Sequence, residues 1–402
     1  MNCPICTTSI EVNYKELNER CLCGDANTQS LYANFSSHSP VFISQKIEEN
    51  IQEAISVIEK VVHGDSFKKS LIKDSLLSVK NSSGGILSCY DFHLVGETPK
   101  LIEINTNAGG FFLNYELLKS STICCSHTQG QNIENLEEKI VSMFKNEFKK
   151  NSDKKLETVA VIDENPETQY LYPDFVICKN ILEKNGIKTF IVNSKDLQII
   201  DGTAVYNGIT IDLIYNRLTD FYFKNEENQK FIPLLESKTT VISPNPNDYI
   251  LFANKANLSF LQNEDVYKDV LSHNEVDTLK KTLLETIMVN KDTEEYLWEN
   301  RKKYFFKPIN GYGGKGAYNG KGLTKKVWEY ITTNGYIAQE TIPANTKIKQ
   351  IDSKEASFKF DIRAYTYQGT ILLVGARVYQ GQTTNFRTLG GGFGSVFITK
   401  NN

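Results

Sequence analysis

The sequence lacks the features that would place the chain in a membrane, outside the cell or on nucleic acid. It has no run of about 18 apolar residues, so no transmembrane helix is expected. Its first residues lack the basic-then-apolar order of a secretion signal. Its eight cysteines do not make a disulfide scaffold in a chain of this length, and they fit a reducing cytoplasm. A net charge of −3 provides no global basic field that would recruit nucleic acid or a membrane surface.

Length and composition predict a globular protein of several domains. With 402 residues the chain is too long for one core, which suggests two to three domains. Its 40% hydrophobic and 23% charged residues are typical of a soluble globular protein. The polar, lysine-rich residues 151–155 form the best domain boundary. The predicted segments are residues 1–30, 31–150, 156–248 and 249–402.

Four cysteines near the beginning of the chain have the spacing of a metal knuckle. Cys3 and Cys6 form a Cys-x-x-Cys pair, and Cys21 and Cys23 form a second pair. Four thiolates can hold Zn²⁺ tetrahedrally, and a metal would help so short a segment to fold. The one-residue spacer of the second pair is unusual for a zinc ribbon. Free thiols are the alternative.

Residues 87–112 are predicted to form a β-hairpin that could carry a metal. Glu103 and Asn105 lie two residues apart on its second strand, so they point to the same face. Asp91, on the partner strand, can face them. Carboxylate and amide oxygens are hard ligands that suit Mg²⁺. An ordinary half-buried hairpin is the alternative, and His93 is expected to be a structural partner within it.

Residues 156–248 predict a small α/β unit. Apolar residues at helical spacing predict helices over residues 44–62, 66–79, 135–150, 172–184 and 275–287. Between 156 and 248, helix and short apolar strands alternate, which favours a parallel sheet. Ligands bind beyond the carboxyl ends of such strands, where residues 163–166, Asn216, Arg217 and residues 243–247 lie. These are candidate substrate contacts, with ordinary loop polarity as the alternative.

A glycine-rich loop follows a strand that ends in lysine. The strand is residues 304–308, with Lys307 at its end, and Lys255 lies in an earlier predicted helix. The loop contains Gly311, Gly313, Gly314 and Gly316. Such a loop can lay backbone N–H groups along phosphates. It has neither the Walker spacing nor the dinucleotide fingerprint, and a flexible turn is the alternative.

The last predicted strands carry basic residues. Residues 335–340 form a strand with Gln339 and Glu340 at its end. Residues 358–367 alternate, so that Lys359, Asp361, Arg363 and Tyr365 share one face, and Arg377 lies at the far end of strand 370–379. Asn385 and Arg387 follow. Basic side chains beside a glycine loop form an anion-binding arrangement, with a solvated sheet face as the alternative.

Together these elements resemble the ATP-grasp superfamily of carboxylate ligases, over nearly everything from about residue 40 to 402. The matching elements are Lys255, the strand at 306–308, the loop at 311–316, Gln339-Glu340, Asp361-x-Arg363 and Arg377. The family's metal hairpin, Asp-Phe and then apolar-Glu-x-Asn, matches Asp91-Phe92 and residues 101–105, but it stands at the front of the chain. The sequence therefore looks like a circularly permuted ATP-grasp protein. Residues 156–248 look like its pre-ATP-grasp domain.

The resemblance implies a mixed α+β and α/β fold in which residues 390–402 lie near residues 35–60. It also implies roles for the candidate residues. Lys255 and Lys307 would contact ATP phosphates under the 311–316 loop, Gln339 and Glu340 would meet adenine and ribose, Asp91, Glu103 and Asn105 would hold Mg²⁺, and Arg363 and Arg377 would hold the substrate carboxylate or acyl phosphate. Asn216, Arg217, Asn385 and Arg387 are the candidate substrate contacts.

The expected activity is ATP-dependent joining of a carboxylate and an amine through an acyl phosphate. The substrates would be a small-molecule acid and amine, and a homodimer is compatible with the sequence. One alternative is a regulatory nucleotide-binding protein without catalysis. Another is a zinc module, residues 1–30, that recruits a protein or carrier on an ATP-grasp scaffold.

Overall fold

A computed structural model describes most of the chain. The described residues are 35–71, 82, 84–120, 128–129, 131–311, 313–351, 354–382 and 388–399. The four cysteines of the predicted zinc knuckle lie outside this part, as do Asn385 and Arg387. Within the described ranges, none of the helices combines the length and apolar character needed to span a bilayer.

The strands occur throughout the described chain. In order they are β1 (Val41–Ser44), β2 (Ser88–Val95), β3 (Thr98–Asn105), β4 (Thr128–Gln129), β5 (Thr158–Asp163), β6 (Lys188–Asn193), β7 (Gln198–Ile200), β8 (Thr203–Tyr206), β9 (Ile209–Ile211), β10 (Leu213–Asn216), β11 (Val241–Ser243), β12 (Thr286–Met288), β13 (Tyr304–Pro308), β14 (Tyr318–Asn319), β15 (Tyr336–Glu340), β16 (Asn345–Ile351), β17 (Lys354–Tyr367), β18 (Thr370–Tyr379) and β19 (Gly392–Thr399).

The α-helices pack against these strands. They are α1 (Gln45–His63), α2 (Asp65–Ser70), α3 (Phe111–Lys119), α4 (Leu136–Lys149), α5 (Tyr172–Lys184), α6 (Pro246–Asp248), α7 (Asn257–Phe260), α8 (His273–Thr282), α9 (Glu294–Asn300) and α10 (Lys325–Thr333). The predicted helix at 44–62 is confirmed as α1. Ser44 caps it by accepting a hydrogen bond from the backbone N–H of Ile47, and its apolar stripe is buried.

The largest sheet has the strand order β1-β19-β18-β17-β2-β3, with β16 paired to β17 and β4 to β19. The predicted hairpin is confirmed as β2 and β3. The first described strand, β1, pairs in parallel with the last, β19, so that Val41 lies beside Val396. The predicted proximity of residues 390–402 to residues 35–60 is therefore confirmed for the described residues. The circular permutation that led to it stays a prediction.

Residues 158–243 form the predicted α/β unit. Its parallel sheet has the order β11-β10-β5-β6, and β7, β8 and β9 form a small antiparallel sheet beside it. One apolar cluster joins this sheet to the rest of the chain, because it includes Val159 and Leu213 together with Phe144 of α4 and Phe111 of α3. The predicted boundary at 151–155 therefore connects two segments that share a core.

The four-stranded antiparallel sheet β12-β15-β13-β14 carries the glycine-rich loop. The predicted helix at 275–287 is wrong in its last turn, because the helix ends at Thr282 and residues 286–288 form strand β12. Leu283 leaves the helix with an extended backbone, and Ile287 then pairs with Ala338 of β15. Sheet pairing with a distant strand thus overrides the local helical pattern.

Candidate active site

Two sheets meet where Lys307 reaches across from β13 to β3. Its Nζ donates hydrogen bonds to the backbone oxygen of Ile102 at 3.1 Å and to Oε1 of Gln339 at 2.6 Å. Burial lowers the pKa of Lys307 to about 8, although Glu103 opposes that shift. The buried amine therefore ties the glycine-loop sheet to the predicted metal hairpin.

The hairpin places its three predicted metal ligands together. Asp91 of β2 lies opposite Glu103 of β3, and Nδ2 of Asn105 donates a hydrogen bond to Oδ2 of Asp91 at 3.3 Å. Asp91 and Asn105 are thus in direct contact, while Glu103 lies opposite Asp91 on the paired strand, and their joint role as metal ligands stays a prediction.

Asp91 belongs to a buried cluster with two arginines and a second aspartate. Arg363 grips it in a fork, with Nε to Oδ1 and Nη2 to Oδ2 both at 2.7 Å. Arg377 adds a contact from Nη2 to Oδ2 at 2.8 Å and binds Asp361 with its Nε at 2.7 Å. Burial alone would raise the pKa of Asp91, but the two arginines outweigh it and hold that pKa well below its usual range. We call Asp91, Asp361, Arg363 and Arg377 the arginine end of the site.

Glu103 faces the other direction, towards lysines. Its Oε2 lies 3.6 Å from Nζ of Lys255, which donates a hydrogen bond to the backbone oxygen of Gly311 at 2.8 Å. Burial would raise the pKa of Glu103, but Lys255 opposes this and the net shift is downward. Its side chain is 23% exposed, whereas that of Asp91 is fully buried. We call Glu103, Lys255, Lys307 and the loop at 311–316 the lysine end.

The glycine loop begins at the lysine end, as predicted. Gly313, Gly314 and Gly316 have φ values of 60°, 70° and 69°, which L side chains adopt only with strain. The hydroxyl of Tyr336 donates to the backbone oxygen of Gly316 at 2.9 Å, which anchors the far side of the loop. The described residues of the loop, 311 and 313–316, are therefore anchored at Gly311 and at Gly316.

Of the two predicted acidic ligands, Glu103 is better placed than Asp91 to bind Mg²⁺. Within the described chain, no group of three histidine, cysteine, aspartate or glutamate side chains stands ready to hold a metal ion. Glu103 offers an accessible carboxylate and Asn105 an amide oxygen, both hard ligands. Asp91 stays a predicted third ligand, but both of its oxygens are taken by arginine here. An ion bound between the three would have to displace one of those contacts.

Gln339 and Glu340 have different surroundings on β15. The side chain of Gln339 is buried and engaged with Lys307, so its observed role is to hold that amine. Glu340 is exposed at the end of the strand. Contacts of either residue with adenine or ribose stay a prediction.

His93 lies near this cluster, although the sequence suggests only a structural role for it. Its Nδ1 is buried and has no hydrogen-bond partner in the described structure. Burial, helped by the nearby positive charge of Lys307, lowers the pKa of His93 to about 4, so the imidazole is neutral at pH 7.

Arg217 is buried beside the turn that follows the hairpin. Its Nη1 donates to the backbone oxygen of Ala108 at 3.2 Å and to the hydroxyl of Tyr215 at 3.3 Å, while its Nε is buried without a partner in the described structure. The backbone oxygen of Gly109, the next residue, accepts from Nη1 of Arg363 at 3.4 Å. Residues 108–109 thus separate Arg217 from the arginine end.

Asn216, predicted beside Arg217 as a substrate contact, is held by the backbone at both ends of its amide. Its Nδ2 donates to the oxygen of Pro244 at 3.0 Å and its Oδ1 accepts from the N–H of Leu218 at 3.0 Å. Asp163, which ends β5, is mostly buried, and this burial raises its pKa to about 6. The polar groups at this sheet edge therefore divide into Asn216, which shapes the loop, and Arg217 and Asp163, which carry charge.

Comparison with solved structures identifies the fold. No protein-family model matches the sequence, and no curated protein matches it. A glutathione synthetase-like effector from Globodera pallida, solved in its apo form, is 11% identical with a TM-score of 0.58, over 99% of this chain and all of that one. A candidate gamma-glutamylcysteine synthetase from Methylobacillus flagellatus is 10% identical with a TM-score of 0.53, over 88% of this chain and 87% of that one. The chain therefore shares the fold of these two structures.

Proposed function

We propose that this protein is an ATP-dependent carboxylate–amine ligase. The observation that carries the proposal is that charged side chains from two sheets and one connecting segment converge on one site. They are Glu103, Arg363 and Arg377 of the largest sheet, Lys307 of the four-stranded antiparallel sheet, and Lys255. The four cationic side chains meet three carboxylates there, because Asp91 and Asp361 join Glu103. This leaves one positive charge in excess for a polyanionic ligand. The ligase-like fold supports the same activity.

We propose for these residues the roles that the family resemblance implies, and the geometry supports them. Lys255 and Lys307 bind ATP phosphates, and the loop at 311–316 lays its N–H groups over them. Glu103 and Asn105, with Asp91 as third ligand, would hold Mg²⁺, which supplies neutralisation of charge on the transferring phosphoryl group. Arg363 and Arg377 orient the acid substrate, because a guanidinium grips a carboxylate in two places.

The reaction proceeds by two substitutions. A carboxylate oxygen of the acid attacks the γ-phosphorus of ATP, the bond to the β-phosphate oxygen breaks, and ADP leaves. The amine nitrogen then attacks the carbonyl carbon of the acyl phosphate, phosphate leaves, and the nitrogen loses a proton to give the amide. The cationic side chains stabilise charge in both steps by position alone.

Arg217 is the proposed contact for the part of the acid substrate that lies away from Arg363 and Arg377. Its unpartnered Nε lies in a buried setting across residues 108–109 from Arg363, so a ligand anion there would satisfy a donor that the protein leaves open. We assign this contact to Arg217 rather than to Asn216, whose amide is held by backbone.

The test is ADP release in a screen of acid and amine pairs. We expect Glu103→Gln and Lys307→Ala each to lower ATP turnover by at least about 100-fold while the proteins stay folded, because the first removes a carboxylate that would hold Mg²⁺ and the second removes a cation that would bind the phosphates. The matched controls are Glu97→Gln, at the exposed turn of the same hairpin, and Lys321→Ala, at an exposed lysine that follows β14. Normal turnover by Glu103→Gln would show that the metal assignment is wrong.

A nucleotide-binding protein without catalysis is the second candidate. The contacts of both Asp91 oxygens with arginine favour this candidate, because the metal site would lack its third ligand as long as Asp91 stays paired. Binding of ATP with Mg²⁺, seen as a raised melting temperature, together with no ADP release from any acid and amine pair would support this alternative.

A further inference from the structure

Three polar side chains join the substrate side of the site to the glycine loop. The hydroxyl of Tyr222 donates a hydrogen bond to Oδ1 of Asn310 at 2.9 Å. Nδ2 of Asn254 donates to the Tyr222 hydroxyl at 3.0 Å and to Oδ1 of Asn310 at 3.4 Å. We call Tyr222, Asn254 and Asn310 the tyrosine junction. The Tyr222 hydroxyl thus donates to Asn310 and accepts from Asn254.

Each member stands next to a part of the proposed site. Tyr222 lies five residues after Arg217 in the loop that follows β10. Asn254 directly precedes Lys255, and Asn310 directly precedes Gly311. The three residues are far apart in sequence, so the junction connects the proposed acid contact, a phosphate lysine and the start of the glycine loop.

A backbone hydrogen bond and a ring contact hold the chain neighbours of Asn254 and Tyr222 in place. The N–H of Lys255 donates to the oxygen of Ile309 at 3.1 Å, so the segment of Asn254 is fixed to the strand that leads into the loop. Phe221 stacks on Tyr249 with ring centroids 4.3 Å apart and an angle of 8°. In contrast, the hydrogen bond from the Tyr222 hydroxyl to Asn310 is exposed. It can therefore break and re-form as the loop moves.

We propose that the tyrosine junction positions the glycine loop and couples it to the substrate side of the site. When the loop closes over ATP phosphates, Asn310 moves with it and transmits the change through Tyr222 to the segment that carries Arg217. The inference rests on the proposed function, since it assumes that the loop covers ATP. These three residues are positioning residues, because they touch neither the phosphates nor the acid.

The test uses the full chain, the non-hydrolysable ATP analogue AMP-PNP with Mg²⁺, and amide hydrogen exchange. In the unchanged protein we expect the analogue to slow exchange both in residues 311–317 and in residues 217–225. In Tyr222→Phe, which keeps the ring but removes the hydroxyl, we expect protection of 311–317 only, with AMP-PNP affinity reduced about two- to tenfold, the range for one hydrogen bond. Tyr206→Phe removes a hydroxyl from β8 and should behave like the unchanged protein.

A double variant separates coupling from simple loss of contacts. Asn310→Ala should weaken AMP-PNP as Tyr222→Phe does, and the two changes together should cost no more than the larger alone, because they act through one bond. Protection of 217–225 by AMP-PNP in Tyr222→Phe, at the level of the unchanged protein, would overturn the inference while leaving the proposed function standing. Failure of the unchanged protein to bind AMP-PNP would overturn both.

Discussion

At the arginine end of the site, Asp91 lies between Arg363 and Arg377 with its side chain fully buried, whereas at the lysine end Glu103 keeps 23% of its side chain exposed and lies 3.6 Å from Lys255. Both ends pair acids with bases. Only the arginine end uses every acid oxygen in short, forked contacts. The difference indicates that the arginine end, besides its proposed contact with the acid, has a structural role in holding the hairpin to strands β17 and β18, while the lysine end keeps its charges available for a ligand.

The largest expected effect that tests this comparison is on stability. Asp91→Asn leaves two buried guanidinium groups without their carboxylate, so we expect the free energy of unfolding to fall by about 3–5 kcal/mol. Glu103→Gln removes only a longer, partly exposed contact, so we expect a change within about 1 kcal/mol. Urea unfolding of both variants, followed by circular dichroism, measures the difference. Equal losses in the two variants would contradict the division into a structural and a ligand-binding end.

The next effect is the pH dependence of the lysine end. Burial lowers the pKa of Lys307 to about 8, so this amine loses its proton as the pH rises through 8 to 9, where an ordinary lysine keeps it. We expect AMP-PNP affinity to be full below about pH 7 and to fall by about 10- to 30-fold by pH 9.5, where most of the free amine has lost its proton. Titration calorimetry from pH 6.5 to 9.5 measures the loss.

Lys307→Arg is the control for that titration, because a guanidinium stays charged over the whole range. Its AMP-PNP affinity, even if lower in absolute terms, should stay constant with pH. If Lys307→Arg shows the same fall as the unchanged protein, another group is responsible for the pH dependence.

The sequence predicts the hairpin itself more completely than the contacts that Asp91 makes with the arginines, for a physical reason. The hairpin is local: alternation and a glycine turn specify it, so Glu103 and Asn105 could be placed on one face directly. The contact of Asp91 with Arg363 joins residues 272 positions apart, and it depends on the register between β2 and β17. No local pattern encodes that register.

The same distinction explains what the sequence does not reveal of the fold. Strands β1 and β19 pair in parallel across nearly the whole chain, and β12 replaces the end of a predicted helix because β15 offers it a partner. Tyr222 is also not found from sequence, since its role depends on two asparagines in other segments. Asn254 and Asn310 do have a signal, because each is adjacent to a residue predicted to bind phosphate.

The smallest effect concerns the freedom of the glycine loop. Gly313 has a φ of 60° with open space around its α-carbon, so an alanine there would meet no atom but would be strained in this conformation. The strain is about 1–2 kcal/mol. If the free loop of Gly313→Ala relaxes out of this backbone and must return to it over the phosphates, the substitution should weaken AMP-PNP binding by about 5- to 30-fold.

Gly322→Ala provides the matched control, because Gly322 also has open space but not a left-handed backbone. It should leave the affinity unchanged, which separates backbone strain from the added methyl group. An unchanged affinity in Gly313→Ala would mean that the loop leaves the left-handed conformation when it closes. The lysine end would then be more mobile than the partial exposure of Glu103 indicates, because its phosphate-binding backbone would form only around the ligand.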